Sequence, residues 1–96
     1  MFNIEIRDNG EINLFGRFDA SQVEKARDVF NTVAGSGVVN FKDLEYISSA
    51  GLGVLLMTQK RLGESGAGLR LINMSKHVKD IFQYAGFDTI FEIESQ

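Results

Sequence analysis

One stretch of the chain decides how the rest is interpreted: residues 40–56, NFKDLEYISSAGLGVLL. It begins as a short apolar strand, reaches the polar pair Lys42-Asp43, and then carries two serines ahead of a cluster of small residues. From Ser49 to Leu62 the apolar residues recur every three to four positions, which predicts an amphipathic helix. We therefore expect a buried strand that runs into a loop, followed by a helix that begins at the serines.

The rest of the chain continues an alternation of strands and helices. Residues 2–6 and 12–16 alternate apolar with polar positions on either side of Asp8-Asn9-Gly10, which is typical of an antiparallel hairpin with Phe2, Ile4 and Ile6 facing inward. The other predicted elements are a helix capped by Asp19 or Ser21 and continuing to Val33, a strand at 38–41, a strand at 69–72, a helix from Ser75 to Ala85 ended by Gly86, and a strand at 89–93.

Right-handed crossovers between these elements predict one α/β domain that spans residues 1–96. The expected sheet has about five strands, is mainly parallel, and carries an N-terminal antiparallel hairpin. Because the crossovers follow one another in the same direction, we expect most helices on one face of the sheet.

Composition excludes several functional classes. The 96 residues include no cysteine, which excludes disulfides and thiolate chemistry, and a single histidine, which argues against a metal site or a catalytic triad. The net charge of −3 disfavours direct binding to nucleic acid. No apolar run is long enough to span a membrane and no signal peptide is visible, so we expect a cytoplasmic protein with no membrane insertion.

No catalytic residue is predicted. His77 is interpreted as an exposed or partly buried helix residue, and Asp19 and Asp43 are explained more simply as caps or turn formers than as an acid–base pair. The sequence also lacks a phosphate-binding P-loop and the Gly-x-Ser-x-Gly elbow of hydrolases.

The two serines admit two interpretations. Serines before a helix most often cap it, because the hydroxyl accepts a hydrogen bond from a free N–H group. A hydroxyl at this position can also carry a phosphate, which the positive end of the helix dipole stabilises. Gly51 and Gly53 each cost the helix about 1 kcal/mol relative to alanine, which favours a close approach of other atoms at this point.

The run at residues 43–55, DLEYISSAGLGVL, resembles the signature of STAS domains, specifically that of the small anti-sigma factor antagonists. Residues 16–20, GRFDA, are similar to a second motif of the family. Against the family pattern, Ser48 stands in place of an aspartate, Ala50 in place of a serine, and Asn40 in place of the strand aspartate.

This resemblance implies a phosphorylation switch. The family's phosphorylated serine falls on Ser49, with Ser48 as the second choice. The unphosphorylated domain would bind an anti-sigma factor of the GHKL serine-kinase type and free a sigma factor. The kinase would use its own ATP, so no cofactor is expected on this chain, and a serine phosphatase would reset the switch. The family likeness also implies a monomer.

The expected docking surface combines the start of the central helix with the loop after the second strand. Its predicted residues are Phe18, Asp19, Ser21, Ser48, Ser49, Ala50, Gly51, Leu52 and Gly53. Phe18 is explained equally well as a core residue, and Met57 and Lys60 either extend the surface or are ordinary exposed positions. Asn40 is placed near the serine loop.

Two alternative functions need no phosphorylation: a small STAS subunit that docks on an ABC-transporter ATPase, and an adaptor in a stress-sensing complex.

Overall fold

In the computed structural model, which describes residues 1–94, five strands form one mixed sheet. The strands are β1 (Phe2–Ile6), β2 (Ile12–Phe18), β3 (Gly37–Ile47), β4 (Leu69–Ile72) and β5 (Glu92–Glu94). They lie side by side in chain order, with β1 antiparallel to β2 and the other neighbours parallel. The predicted hairpin and the mainly parallel sheet of five strands are confirmed.

Within the same residues, three helices connect the parallel strands: α1 (Val23–Phe30), α2 (Ser49–Gly63) and α3 (Lys76–Tyr84). Because the strands follow chain order, every crossover steps in the same direction, and right-handed crossovers then place the helices on one face. The core lies between these helices and the sheet. Its fully buried side chains include Leu14, Val39, Phe41, Ala26, Leu55 and Phe82.

The strand at the centre of the sheet is longer than predicted. The sequence placed a loop after Phe41, but β3 continues through the polar residues to Ile47. Leu44 and Ile47 are buried while Lys42 and Asp43 are exposed, so only one face of this segment is covered. Two irregularities in the register with β2 shift the alternation. Such bulges break the period of two that would otherwise mark a strand.

Two other predicted boundaries and one predicted side-chain orientation are corrected. The first helix ends at Phe30 rather than Val33, because Thr32 and Val33 make tighter backbone bonds to the third residue before them. The last strand begins at Glu92 rather than Thr89, because Gly86 takes a left-handed φ of 75° and a short 3₁₀ turn, Phe87–Thr89, follows it. Ile6 is 50% exposed rather than inward-facing, at the end of the edge strand β1.

Candidate functional site

The site forms where β2 and β3 end together at one edge of the sheet. Phe18 and Ile47, the last residues of the two strands, lie opposite one another in the parallel register. The backbone N–H of Ser48 then donates to the carbonyl oxygen of Phe18 at 2.9 Å. This bond holds the start of α2 beside the segment that follows β2, so the two predicted motifs meet in space.

Ser48 is the N-cap of α2. Its hydroxyl oxygen accepts a hydrogen bond from the backbone N–H of Gly51 at 3.1 Å, and its carbonyl accepts one from the N–H of Leu52 at 2.9 Å. The side chain is half-buried. Capping is therefore the structural role of Ser48, as expected for a hydroxyl that satisfies one of the free N–H groups of a helix.

Ser49 is the first residue of α2, and its side chain is exposed. Among the described residues, no hydrogen-bond partner is found for its hydroxyl. A phosphate on this hydroxyl would lie at the positive end of the helix dipole. The capping role therefore belongs to Ser48, and Ser49 carries an exposed hydroxyl.

The two glycines that follow have different surroundings. A Cβ atom on Gly51 would lie 2.9 Å from Cγ1 of Ile47 and 3.1 Å from Cγ of Phe18, so this glycine allows α2 to pack closely on the ends of β2 and β3. A Cβ atom on Gly53 would meet nothing within 4 Å. Close packing inside the molecule explains Gly51 and leaves Gly53 unexplained.

Asp19 and Ser21 form a capping unit next to the serines. The Oδ1 atom of Asp19 accepts hydrogen bonds from the N–H of Ser21 at 3.0 Å and from its hydroxyl at 2.5 Å, and so caps the short 3₁₀ turn Ala20–Gln22. The hydroxyl hydrogen bond is the largest influence that lowers the pKa of Asp19 below its ordinary value of 3.8. Asp19 is therefore ionised near neutral pH, and its carboxylate oxygens act only as acceptors.

Burial corrects part of the predicted docking surface. Phe18 is 0% exposed and stacks on Phe2 with ring centroids 4.6 Å apart, so it is a core residue. Gly51 and Leu52 are also buried. These three residues support the surface from below rather than form it. The predicted residues that the structure leaves accessible, in full or in part, are Asp19, Ser21, Ser48, Ser49, Ala50 and Gly53.

Asn40 was predicted to lie near the serine loop, and that placement is wrong. It lies eight residues before Ser48 on β3, about 26 Å along the chain at ordinary strand spacing. Its Nδ2 atom donates to Oε2 of Glu11 at 3.3 Å, and its Oδ1 atom accepts from Nδ2 of Asn73 at 3.2 Å. Asn40 therefore belongs to a polar network on the open face of the sheet.

A family model described as "Mlab, STAS domain" matches residues 3–93 of the chain. The chain belongs to the STAS domain family. The anti-sigma-B factor antagonist of Bacillus subtilis (strain 168) is 27% identical to this STAS domain over 100 residues, which cover 98% of this chain and 92% of the relative. A STAS-domain containing protein of Pseudomonas aeruginosa is 32% identical over 85 residues, with 85% of this chain and 84% of that protein covered.

Solved structures show the same architecture. The unphosphorylated form of the anti-sigma factor antagonist SpoIIAA matches this STAS domain with a TM-score of 0.77 and 23% identity, over 100% of this chain and 88% of that one. The phosphorylated form of the Bacillus protein SpoIIAA matches with a TM-score of 0.72 and 22% identity, over 100% and 91% of the two chains. At this level of identity the likeness establishes the fold.

A groove between α1 and α2, which no sequence pattern predicted, begins at Ala50, the residue that follows Ser49 in the chain. Its volume is about 510 Å³, and it is lined by Val23, Arg27, Asn31, Ala50, Gly53, Val54, Met57, Thr58 and Arg61. Met57 therefore lies on the same surface as Ala50 and Gly53, whereas Lys60 is not part of the lining. The α2 residues that line the groove, at positions 50, 53, 54, 57, 58 and 61, follow helical spacing in the sequence. Their role could not be predicted without knowing that α1 lies opposite them.

In the described part of the STAS domain, no group of three or more His, Asp or Glu residues is arranged to hold a metal ion. His77 is exposed on α3. None of the helices in residues 1–94 is both long enough and apolar enough to cross a membrane.

Proposed function

We propose that this STAS domain is an anti-sigma factor antagonist whose docking surface is the start of α2 and whose binding is switched by phosphorylation of Ser49. In its unphosphorylated form it binds an anti-sigma factor that is also a GHKL-type serine kinase, and so frees a sigma factor. The kinase supplies ATP, and a serine phosphatase restores the binding form. The observation that carries this proposal is the exposed, unengaged hydroxyl of Ser49 beside a capped helix start.

Similar proteins support the broader part of the proposal, that this chain is an anti-sigma factor antagonist. Relatives that cover most of the chain include an anti-sigma-B factor antagonist and an anti-sigma F factor antagonist. SpoIIAA, whose fold is similar, has been solved in both an unphosphorylated and a phosphorylated form. This chain carries a hydroxyl suited to the same modification at the start of α2.

The physical effect of phosphorylation is local. A phosphate adds about −1.5 to −2 charges at pH 7, and a helix N-terminus accommodates such a group in the free protein. In a tight interface the same group must lose its water, and a cost of about 3 kcal/mol there lowers affinity more than a hundredfold. We therefore expect the modification to block docking with little change in the fold.

Ser48 affects how a kinase would recognise the site. The aspartate that the family pattern places here and the serine found here are both good N-caps, so the helix start is preserved. The substitution removes one negative charge next to Ser49. We expect Ser48→Asp to keep the fold and to change only how the kinase engages Ser49.

Binding assays with matched variants test the proposal. Wild type, Ser49→Asp and Ser36→Asp serve as baits for proteins from the source organism, with captured proteins identified by mass spectrometry. Ser36 is exposed in the loop before β3, so its variant controls for added charge. We expect wild type and Ser36→Asp to capture a GHKL-type anti-sigma factor and Ser49→Asp to lose it. Incubation with that protein and ATP should phosphorylate wild type and Ser48→Ala, and leave Ser49→Ala unmodified.

The alternatives give different results in the same assay. Capture of a transporter ATPase or of a large stress complex by wild type and Ser49→Asp alike would replace the switch with a docking module that needs no phosphorylation. Phosphorylation at Ser48 instead of Ser49 would overturn the assignment of roles to the two serines.

A further inference from the structure

The groove between α1 and α2 has the dimensions and the lining of a site for a helix. Along α2 it runs from Ala50 to Arg61, twelve residues that span about 16 Å along the axis, which is the length of three helical turns. Its apolar lining includes Val23, Val54 and Met57. Met57 is 67% exposed although its side chain is apolar. Methionine is flexible and adapts well to a partner surface.

The charges on the groove are of one sign. Arg27 and Arg61 line it, and no acidic residue does, in a chain whose net charge is −3. Arg61 already donates to the carbonyl oxygen of Phe30 at 3.0 Å. Arg27 makes no ion pair within residues 1–94 and is exposed. A cationic edge along an apolar floor is complementary to an amphipathic segment that carries carboxylates.

Gly53 gives an independent reason to expect a partner in the groove. It lies in the lining, and nothing within 4 Å would oppose a Cβ atom there. Alanine would stabilise the helix by about 1 kcal/mol at this position. Gly53 therefore lowers the stability of α2 and makes no packing contact inside the chain that would offset this. Its effect on the groove is to leave the floor free of a side chain at this position.

We propose that this groove binds an acidic amphipathic helix of about three turns from the anti-sigma factor, with its apolar side chains on Met57 and Val54 and a carboxylate paired with Arg27. The inference rests on the proposed function, because the groove opens at Ala50, next to Ser49. It extends that function from a single switch residue to an elongated interface and states the chemistry of the partner segment.

Charge reversal at matched positions tests the groove. The probe is the purified anti-sigma factor that binds wild type and not Ser49→Asp. Its dissociation constant is measured by calorimetry for wild type, Arg27→Glu, Arg27→Lys and Arg7→Glu. Arg7 lies in the turn between β1 and β2, outside the groove, and its variant changes the net charge by the same amount. Urea unfolding of each variant confirms that the fold is retained.

We expect Arg27→Glu to weaken binding about tenfold or more, Arg27→Lys to retain most of the affinity, and Arg7→Glu to change it less than about twofold. Because the pair is accessible to salt, the loss should shrink at 0.5 M NaCl. Equal affinities for Arg27→Glu and Arg7→Glu would overturn the groove proposal while leaving the Ser49 switch intact. Failure of wild type to bind any anti-sigma factor of the source organism would overturn the proposed function itself, and the groove's occupant with it.

Cross-linking then identifies the segment that occupies the groove. A photoreactive p-benzoylphenylalanine replaces Met57, and in a control it replaces Tyr84, which is 93% exposed on α3. We expect cross-links from position 57 alone, to one helical segment of the anti-sigma factor that carries acidic residues. Cross-links to a basic or non-helical segment, or equal cross-linking from position 84, would contradict the proposed occupant.

Discussion

The contrast between Gly51 and Gly53 yields a prediction about stability and binding together. Both glycines lie in the first two turns of α2, and substitution by alanine would favour the helix by about 1 kcal/mol at either position. Only one of them is confined: the added Cβ on Gly51 would lie 2.9 Å from Ile47 and 3.1 Å from Phe18, whereas the Cβ on Gly53 would meet open space.

The magnitude follows from the difference between the two variants. Ile47 and Phe18 are 1% and 0% exposed, so neither side chain can move aside without disturbing the core. Overpacking of this kind costs about 1–3 kcal/mol. Because the gain in helix propensity is common to both variants, it cancels in the comparison. We therefore expect Gly51→Ala to be about 1–3 kcal/mol less stable than Gly53→Ala, with Gly53→Ala slightly more stable than wild type.

Urea unfolding followed by circular dichroism measures these free energies, and the slopes should agree among the variants. The same proteins are then compared for binding to the anti-sigma factor. Gly53→Ala should bind more weakly than wild type although it is more stable, because its methyl group projects into the groove. Equal stability of the two alanine variants would refute the packing argument. Unchanged binding by Gly53→Ala would refute the view that this glycine serves a partner.

Three further predictions concern the capping residues and the core. Ser48→Ala should lose about 1 kcal/mol of unfolding free energy in urea because the N–H of Gly51 loses its acceptor, and Ser48→Asp should retain most of it; equal losses would contradict the capping role. Ser21→Ala should raise the pKa of Asp19 toward 3.8, as followed by carboxyl-carbon NMR. Because the pKa of Asp19 is lower in the folded state than in the unfolded state, its ionised form stabilises the fold above the unfolded pKa, and this stabilisation is lost as the pH falls through the folded value. The variant should therefore lose a small part of its unfolding free energy above about pH 4. Phe18→Ala should lose about 3–5 kcal/mol, as a core phenylalanine does, and a loss well below this range would place the ring at the surface instead.

The alternation of apolar residues was sufficient to predict the order of strands and helices and the antiparallel hairpin. It failed where the backbone departs from a regular period. The bulges in β3 interrupt the alternation after Phe41, so the segment from Lys42 to Tyr46 resembled a loop although it is paired with β2. The apolar residues Ile90 and Phe91 resembled a strand, but the left-handed Gly86 directs the chain into a turn that packs Phe87 against Phe82 and Phe91.

The serine motif located the candidate site, and burial then divided its residues. Which of Ser48 and Ser49 caps the helix depends on where α2 begins, and sequence spacing fixes a helix boundary only to within a few residues. Asn40 was placed by analogy with a motif, whereas the length of β3 puts it far from the serines. The groove could not be predicted from the sequence because it depends on the packing of α1 against α2, a tertiary contact that no local pattern encodes.

In the proposed switch, phosphorylation of Ser49 blocks docking without refolding the domain. The most direct test compares the unmodified chain with a chain that carries phosphoserine at position 49, by calorimetric titration with the anti-sigma factor and by amide NMR of each free form. We expect affinity to fall about a hundredfold or more, while shift changes stay near the start of α2 and the end of β2. Equal affinity of the two forms, or shift changes spread across the whole sheet, would contradict it.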